Sequence, residues 1–228
     1  MGQQDAADAG EARAKRKDII MKIAVIAANG KAGQLIVKEA VTRGHDVTAV
    51  VRGENKTVTQ STLAKDLFDL NAEDLAGFDA VIDAFGAWAP EVLPQHSTSL
   101  AHLCDALSGT GVRLLVVGGA GSLFVDADHT TTLNQTPDFP ADFQPLAAAM
   151  QKALDELRQR DDVRWTYLSP AADFQAVGEK TGTYQLGGEE LMVGSQGPVI
   201  SYADYAIAMV DLAESGEHVG ERVSVVHP

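Results

Sequence analysis

One cysteine, Cys104, in 228 residues has no partner for an internal disulfide, which excludes the small cross-linked secreted scaffolds and fits a reducing cytoplasm. No apolar run reaches the roughly 18 residues that a membrane helix needs, so no helical span is expected. Basic residues are scarce: 18 Lys and Arg stand against 32 Asp and Glu, giving a formal net charge of -14 and a pI of about 4.7. So acidic a surface repels phosphate backbones and anionic lipid, and neither nucleic acid nor a membrane surface is expected as the main partner. A local basic pocket for one phosphorylated small molecule stays open. The six histidines, at 45, 96, 102, 129, 218 and 227, form no ligand-spaced pair, and no metal site is expected.

What is present is core-forming material: 45% hydrophobic residues at a mean hydropathy of -0.05. Residues 1–20 are set apart, rich in Ala, Gly, Gln and charge and without an apolar stretch, so they read as a disordered leader rather than a secretory signal. The basic cluster of Arg13, Lys15, Arg16 and Lys17 is open to a targeting role or to simple solvation. Residues 21–228 read as one domain. Strand-like and helix-like segments alternate: strands at 22–27, 46–51, 61–66, 80–84, 113–117, 164–168 and 222–226, helices near 32–43, 95–108, 146–160 and 201–214. The apolar run Lys22–Ala27 suits a central parallel strand covered on both faces. Ser201 followed by Asp204 is a capping-box pattern for the last helix. Such alternation predicts an α/β fold, a Rossmann-like doubly wound parallel sheet with ligands at the carboxyl ends of its strands.

The first strand-to-helix turn reads Ala27-Ala28-Asn29-Gly30-Lys31-Ala32-Gly33. Gly30 and Gly33 stand where a dinucleotide fold brings backbone N–H groups against a pyrophosphate, and the following helix offers its positive end to the same anion. The first glycine of the usual pattern is replaced by Ala27. An ordinary tight turn is the competing reading. Cofactor contacts are expected from Asn29, Gly30, Lys31, Ala32 and Gly33. The second strand ends in Arg52, where NAD-specific sites carry an acid, with Lys56 close behind. A guanidinium there would pair with a 2′-phosphate, so NADPH is expected over NADH; a solvated surface arginine is the alternative.

The ordered blocks KIAVIAANGKAG, GHDVTAVVR, KDLFDL, AVIDAFGAW, RLLVVGGAGSL, WTYLSPAADF, TGTYQLGGEELM and ISYADYA extend over nearly the whole chain. Together they resemble the atypical short-chain dehydrogenase/reductase family, the NAD(P)H-binding or NADH-flavin reductase type, similar to biliverdin reductase B and the NmrA-like proteins. The resemblance implies a Rossmann domain with a small C-terminal substrate-side lobe at about residues 171–197. It implies that Ala84, Phe85 and Gly86 run past the ribose and that Asp69 and Leu70 lie by the adenine. Ser169 and Pro170 would line the nicotinamide pocket, and Gly118 in the turn after the fifth strand is counted with them. Asp69 as a cap for the short helix near Asn71, and Ser169-Pro170 as a plain turn, are the alternatives.

One departure bears on chemistry. The Tyr-x-x-x-Lys pair that short-chain dehydrogenases use to exchange a proton with substrate is absent: Tyr167, Tyr184, Tyr202 and Tyr205 are followed four residues on by Ala171, Gly188, Ala206 and Met209. The region that would usually hold the pair reads Phe143-Gln144-Pro145-Leu146-Ala147. Flavin asks less of the protein, because hydride can pass to its N5 while solvent manages the proton. Ser122 is a candidate catalytic hydroxyl or merely a cap, and Phe85, Trp88 and Phe174 are candidates for an apolar wall. Two classes stay open: an NAD(P)H-dependent reductase of flavin or another planar, small-molecule acceptor, and an NmrA-like sensor that binds cofactor without turnover. A nucleotide-sugar epimerase is a weaker third.

Overall fold

The computed structural model describes residues 20–228; apart from Ile20, the expected leader lies outside the described residues. The strands are β1 (Lys22–Ile26), β2 (Asp46–Val51), β3 (Ser61–Ala64), β4 (Ala80–Asp83), β5 (Arg113–Val117), β6 (Arg164–Ser169), β7 (Asp173–Gln175), β8 (Gln185–Gly187), β9 (Val199–Ser201) and β10 (Glu221–Val226). The helices are α1 (Lys31–Thr42), α2 (Ala72–Leu75), α3 (Gln95–Leu107), α4 (Gln144–Leu157) and α5 (Tyr202–Ser215).

The main sheet runs β3-β2-β1-β4-β5-β6-β10-β8, parallel throughout except for β8, which pairs antiparallel with β10 at one edge. Strand order reverses between β1 and β4, so the crevice for a ligand lies at their carboxyl ends. This is a Rossmann-like α/β fold. The apolar runs of the sequence have their cause here: Ile23 and Val25 of β1 face α1 and α5, while Ala24 and Ile26 face α3 and α4. All four are at most 1% exposed, so the strand shows no polar alternation. The Cys104 thiol is buried, which pushes its pKa up to about 12 and keeps it inert.

The C-terminal lobe holds the elements without a sequence signal. β7 and β9 form a separate two-stranded parallel sheet, and β8 closes the main one. Ser201 caps α5, accepting a hydrogen bond from the Asp204 N–H at 3.0 Å. The expected capping box is not completed, because the buried Asp204 carboxylate is used elsewhere. It accepts from the Thr181 and Gly182 N–H groups at 3.0 and 2.8 Å and from the Thr181 and Ser201 hydroxyls, pinning the lobe to α5. Arg43, at the end of α1, adds a second anchor: it meets Glu39 at 2.9 Å, Asp211 at 2.6 Å and Glu214 at 2.9 Å. Lys180 of the lobe reaches Glu39 at 2.7 Å.

Candidate dinucleotide site

After β1 the chain turns at once. Ala27 has a φ of 54°, the left-handed conformation that glycine favours. Standing in the place of the first glycine of the fingerprint, it keeps the backbone that glycine would take. The Gly30 N–H closes the turn on the Ala27 carbonyl at 2.9 Å. Gly30 is then the N-cap of α1, without a side-chain cap and without an acid in the first turn. The first bond into the helix is Gln34 N–H to the Gly30 carbonyl at 2.9 Å. The N–H groups of Lys31, Ala32 and Gly33, which a helix cannot satisfy internally, are left for an anion. A Cβ on Gly33 would stand 2.9 Å from the Ala27 carbonyl oxygen and from the Cα and carbonyl oxygen of Ala28. Gly33 therefore lets the helix start close against β1, as a pyrophosphate cradle requires. The residues present fit a dinucleotide.

Arg52, at the end of β2, is exposed and lies 3.8 Å from the Asp66 carboxylate. The side chain of Asn29 faces the loop after β2: its Nδ2 donates to the Glu54 carbonyl and its Oδ1 accepts from the Lys56 N–H, both at 2.8 Å. At the next strand end, the Ala84 N–H donates to the Ile26 carbonyl at 3.1 Å, which sets Ala84, Phe85 and Gly86 beside the glycine turn. Asp69 is exposed; Leu70 is buried, its carbonyl accepting from His102 at 2.8 Å. The cap of α2 is Asn71, not Asp69.

At β5 the glycines answer to packing. A Cβ on Gly118 would fall 2.2 Å from the Tyr167 ring, and one on Gly121 2.7 Å from the Ala147 Cβ. Ser169 and Pro170 are buried, and the Ser169 hydroxyl has no partner among the described residues. Ser122 is also buried, and its oxygen accepts from the Arg222 guanidinium at 3.0 Å. Arg222, itself buried, is paired in turn with Glu189. Phe174 packs on Tyr202 and Tyr205, with ring centroids 4.0 and 4.7 Å apart, while Trp88 is exposed. These two do not form one wall with Phe85.

Two residues were not picked out in the sequence. Asp66, beside Arg52, carries no sequence signal that separates it from the other acids of the chain. Asp83 ends an otherwise apolar strand, and that placement was a usable signal. Its carboxyl is buried, which pushes its pKa up to about 6, while the Phe85 N–H bonds it at 3.0 Å. Beside it, Ser99 and Tyr167 help line a cavity of about 20 Å³, room for about one water.

Residues 27–215 match the family model described as NAD(P)H-binding. The uncharacterized protein YwnB of Bacillus subtilis (strain 168) is 50% identical over 210 residues, 90% of this chain and 98% of its own. A crystal structure from Streptococcus pneumoniae TIGR4, of a protein provisionally named an NADH-flavin reductase, is 55% identical with a TM-score of 0.89; the match extends over 91% of this chain and 100% of that one. A Bacteroides thetaiotaomicron structure provisionally named an epimerase is 33% identical at a TM-score of 0.80, over 92% of this chain and 98% of that one. Among the described residues no helix is long and apolar enough to cross a membrane.

Proposed function

The chain belongs to the NAD(P)H-binding family, and from that premise we propose that it is a reductase preferring NADPH that passes hydride to flavin or another planar acceptor. The observation that carries the reading is the uncapped, acid-free start of α1 beside an exposed Arg52. In this reading the Lys31, Ala32 and Gly33 N–H groups hold the pyrophosphate and Arg52 holds the 2′-phosphate through a charge-assisted pair. When bound, the nicotinamide supplies the hydride. The protein contributes orientation rather than acid, and the name of the S. pneumoniae relative supports the same acceptor class. Ser122 has its oxygen taken by Arg222, which leaves its proton as a donor to orient a bound group.

Equilibrium titration with both cofactors, followed by assays with FMN, FAD and small ketones, tests the proposal. NADPH binds more tightly than NADH, and Arg52→Asp reverses or abolishes the difference, since a charge-assisted hydrogen bond is worth about 1.5–3 kcal/mol. Equal affinities in the unmodified protein overturn the preference. NADPH is consumed with flavin and hardly with ketones; robust ketone turnover overturns the acceptor class. Binding without consumption favours the sensor.

A further inference from the structure

The glycine turn and the loop that carries Arg52 come from different strands, joined before Arg52 by the Ala28 N–H to the Val50 carbonyl at 3.4 Å and beyond it by the Asn29 carboxamide. Its two hydrogen bonds, to the Glu54 carbonyl and from the Lys56 N–H, are the only side-chain hydrogen bonds between turn and loop among the described residues. Asn29 is itself fixed, its own carbonyl accepting from Gln34 Nε2 of α1 at 2.8 Å. The far side of the loop is ordered separately. Asn55 donates to the Thr59 carbonyl at 2.9 Å and accepts from the Thr57 N–H at 2.8 Å, and the Thr59 hydroxyl donates to the Val47 carbonyl at 2.6 Å. That side therefore holds its own shape without Asn29, while residues 54 and 56 follow the glycine turn through it.

We propose that Asn29 is a positioning residue for cofactor choice: it sets the distance between the pyrophosphate cradle and Arg52, so that preference for a 2′-phosphate passes through its carboxamide. This rests on the reading of Arg52 given above. A bound dinucleotide spans both sites, and a guanidinium contributes to affinity only when its loop stands at the matching separation. The side chain acts on Arg52 through the loop backbone and needs no contact with the phosphate.

The test compares dissociation constants for NADPH and NADH in the unmodified protein, Asn29→Ala, Arg52→Ala and the double variant, by calorimetry. Asn29→Ala lowers the NADPH-over-NADH ratio about tenfold, or about 1.4 kcal/mol, mostly by weakening NADPH. In the Arg52→Ala background the same change leaves the ratio where it is. Loss of both affinities by one factor, or an equal fall of the ratio in both backgrounds, overturns the proposal. If Arg52→Ala abolishes the preference and Asn29→Ala keeps it, the clamp fails while the reading of Arg52 stands. If the unmodified protein has no preference, both fall. Hydrogen exchange gives a readout without cofactor: the Lys56 amide is protected in the unmodified protein and exchanges at least about tenfold faster in Asn29→Ala. Asn29→Ser, too short to reach both partners, replaces the alanine variant if that does not fold. An unprotected Lys56 amide in the unmodified protein refutes the clamp whatever the variants do.

Discussion

Replacing Gly33 with alanine puts one methyl group where the structure has no room for it. The added carbon would stand 2.9 Å from three backbone atoms, the Ala27 oxygen and the Ala28 Cα and oxygen. None is the mobile end of a side chain, and Ala28 is fully buried. Relief requires lifting the first turn of α1 off β1, an overpacking strain of about 1–3 kcal/mol. Alanine returns about 0.8–1 kcal/mol through its helix preference. The net cost is therefore about 0–2 kcal/mol, and its midpoint near 1 kcal/mol lowers Tm by about 2–4 °C in a domain of this size. In the proposed site the same shift moves the Lys31, Ala32 and Gly33 N–H groups away from the pyrophosphate they would hold, so NADPH and NADH should weaken together. Gly53→Ala is the control, since a Cβ there meets nothing within 4 Å and Gly53 has no positive φ. Scanning calorimetry and cofactor titration of both variants decide the matter. A Gly33→Ala protein as stable and as tight-binding as the unmodified one would show that the helix does not start as close to β1 as described.

Two further outcomes follow from buried charge. Asp83 has its pKa raised by burial from 3.8 to about 6, so between those values the folded state holds a proton that the unfolded state releases. That contribution is complete below about pH 4 and is lost as pH rises through 6; at about 1.4 kcal/mol per tenfold change in proton affinity it is about 3 kcal/mol. Asp83→Asn removes this pH dependence and gains stability above pH 7, as urea unfolding at pH 5 and pH 8 will show; parallel pH profiles for the two proteins refute the assignment. Arg43→Ala leaves Glu39, Asp211 and Glu214 beside one another with only Lys180, Tyr184 and His45 as partners among the described residues, and should cost about 2 kcal/mol in urea unfolding. A loss under about 1 kcal/mol would mean that the cluster behaves as an ordinary solvated surface pair.

Much of the sheet was legible because its strands are covered on both faces. KIAVI, AVID and RLLVV are apolar through their middles, with charge only at the end residues Lys22, Asp83 and Arg113, as strands covered on both faces must be. α1, α3 and α4 were legible from their spacing, since each buries one stripe against the sheet, whereas α5 is buried nearly all round and was marked by its Ser201 cap. β7, β8 and β9 are three residues each, too short to show a period, and their order comes from pairings made at a distance. Asp173 lies opposite Val199, and Gly187 opposite Ser224. The site divides along the same line. The glycine turn is local, so its residues and their order state its shape. The partners of Ser122 and Asn29 are not local: Arg222 is 100 positions from Ser122, and the loop held by Asn29 is 25 to 27 positions away. Nothing in a run of letters reports which polar side chains will be spent on each other once the sheet closes.

The tyrosines carry the chemical argument one step beyond the missing motif. A tyrosine serves as a proton donor when a neighbouring cation lowers its pKa and its hydroxyl faces the substrate. Tyr167 instead accepts from the Gly119 N–H at 3.2 Å, and burial pushes its pKa up to about 12. Tyr205 donates to the Leu168 carbonyl at 2.7 Å from a fully buried position, which raises its pKa further from any working range. Tyr184 is bonded to Asp211, and burial raises the pKa of Tyr202. None of the four has the arrangement that lysine gives the usual catalytic tyrosine, and the two most buried, Tyr167 of β6 and Tyr205 of α5, spend their hydroxyls on the backbone at Gly119 and Leu168. Carbonyl reduction would lose the factor of about 10²–10⁴ that a positioned acid contributes. An acceptor that spreads incoming charge over a conjugated ring loses far less, and that difference is the physical reason to look for a flavin rather than a ketone opposite this cofactor site.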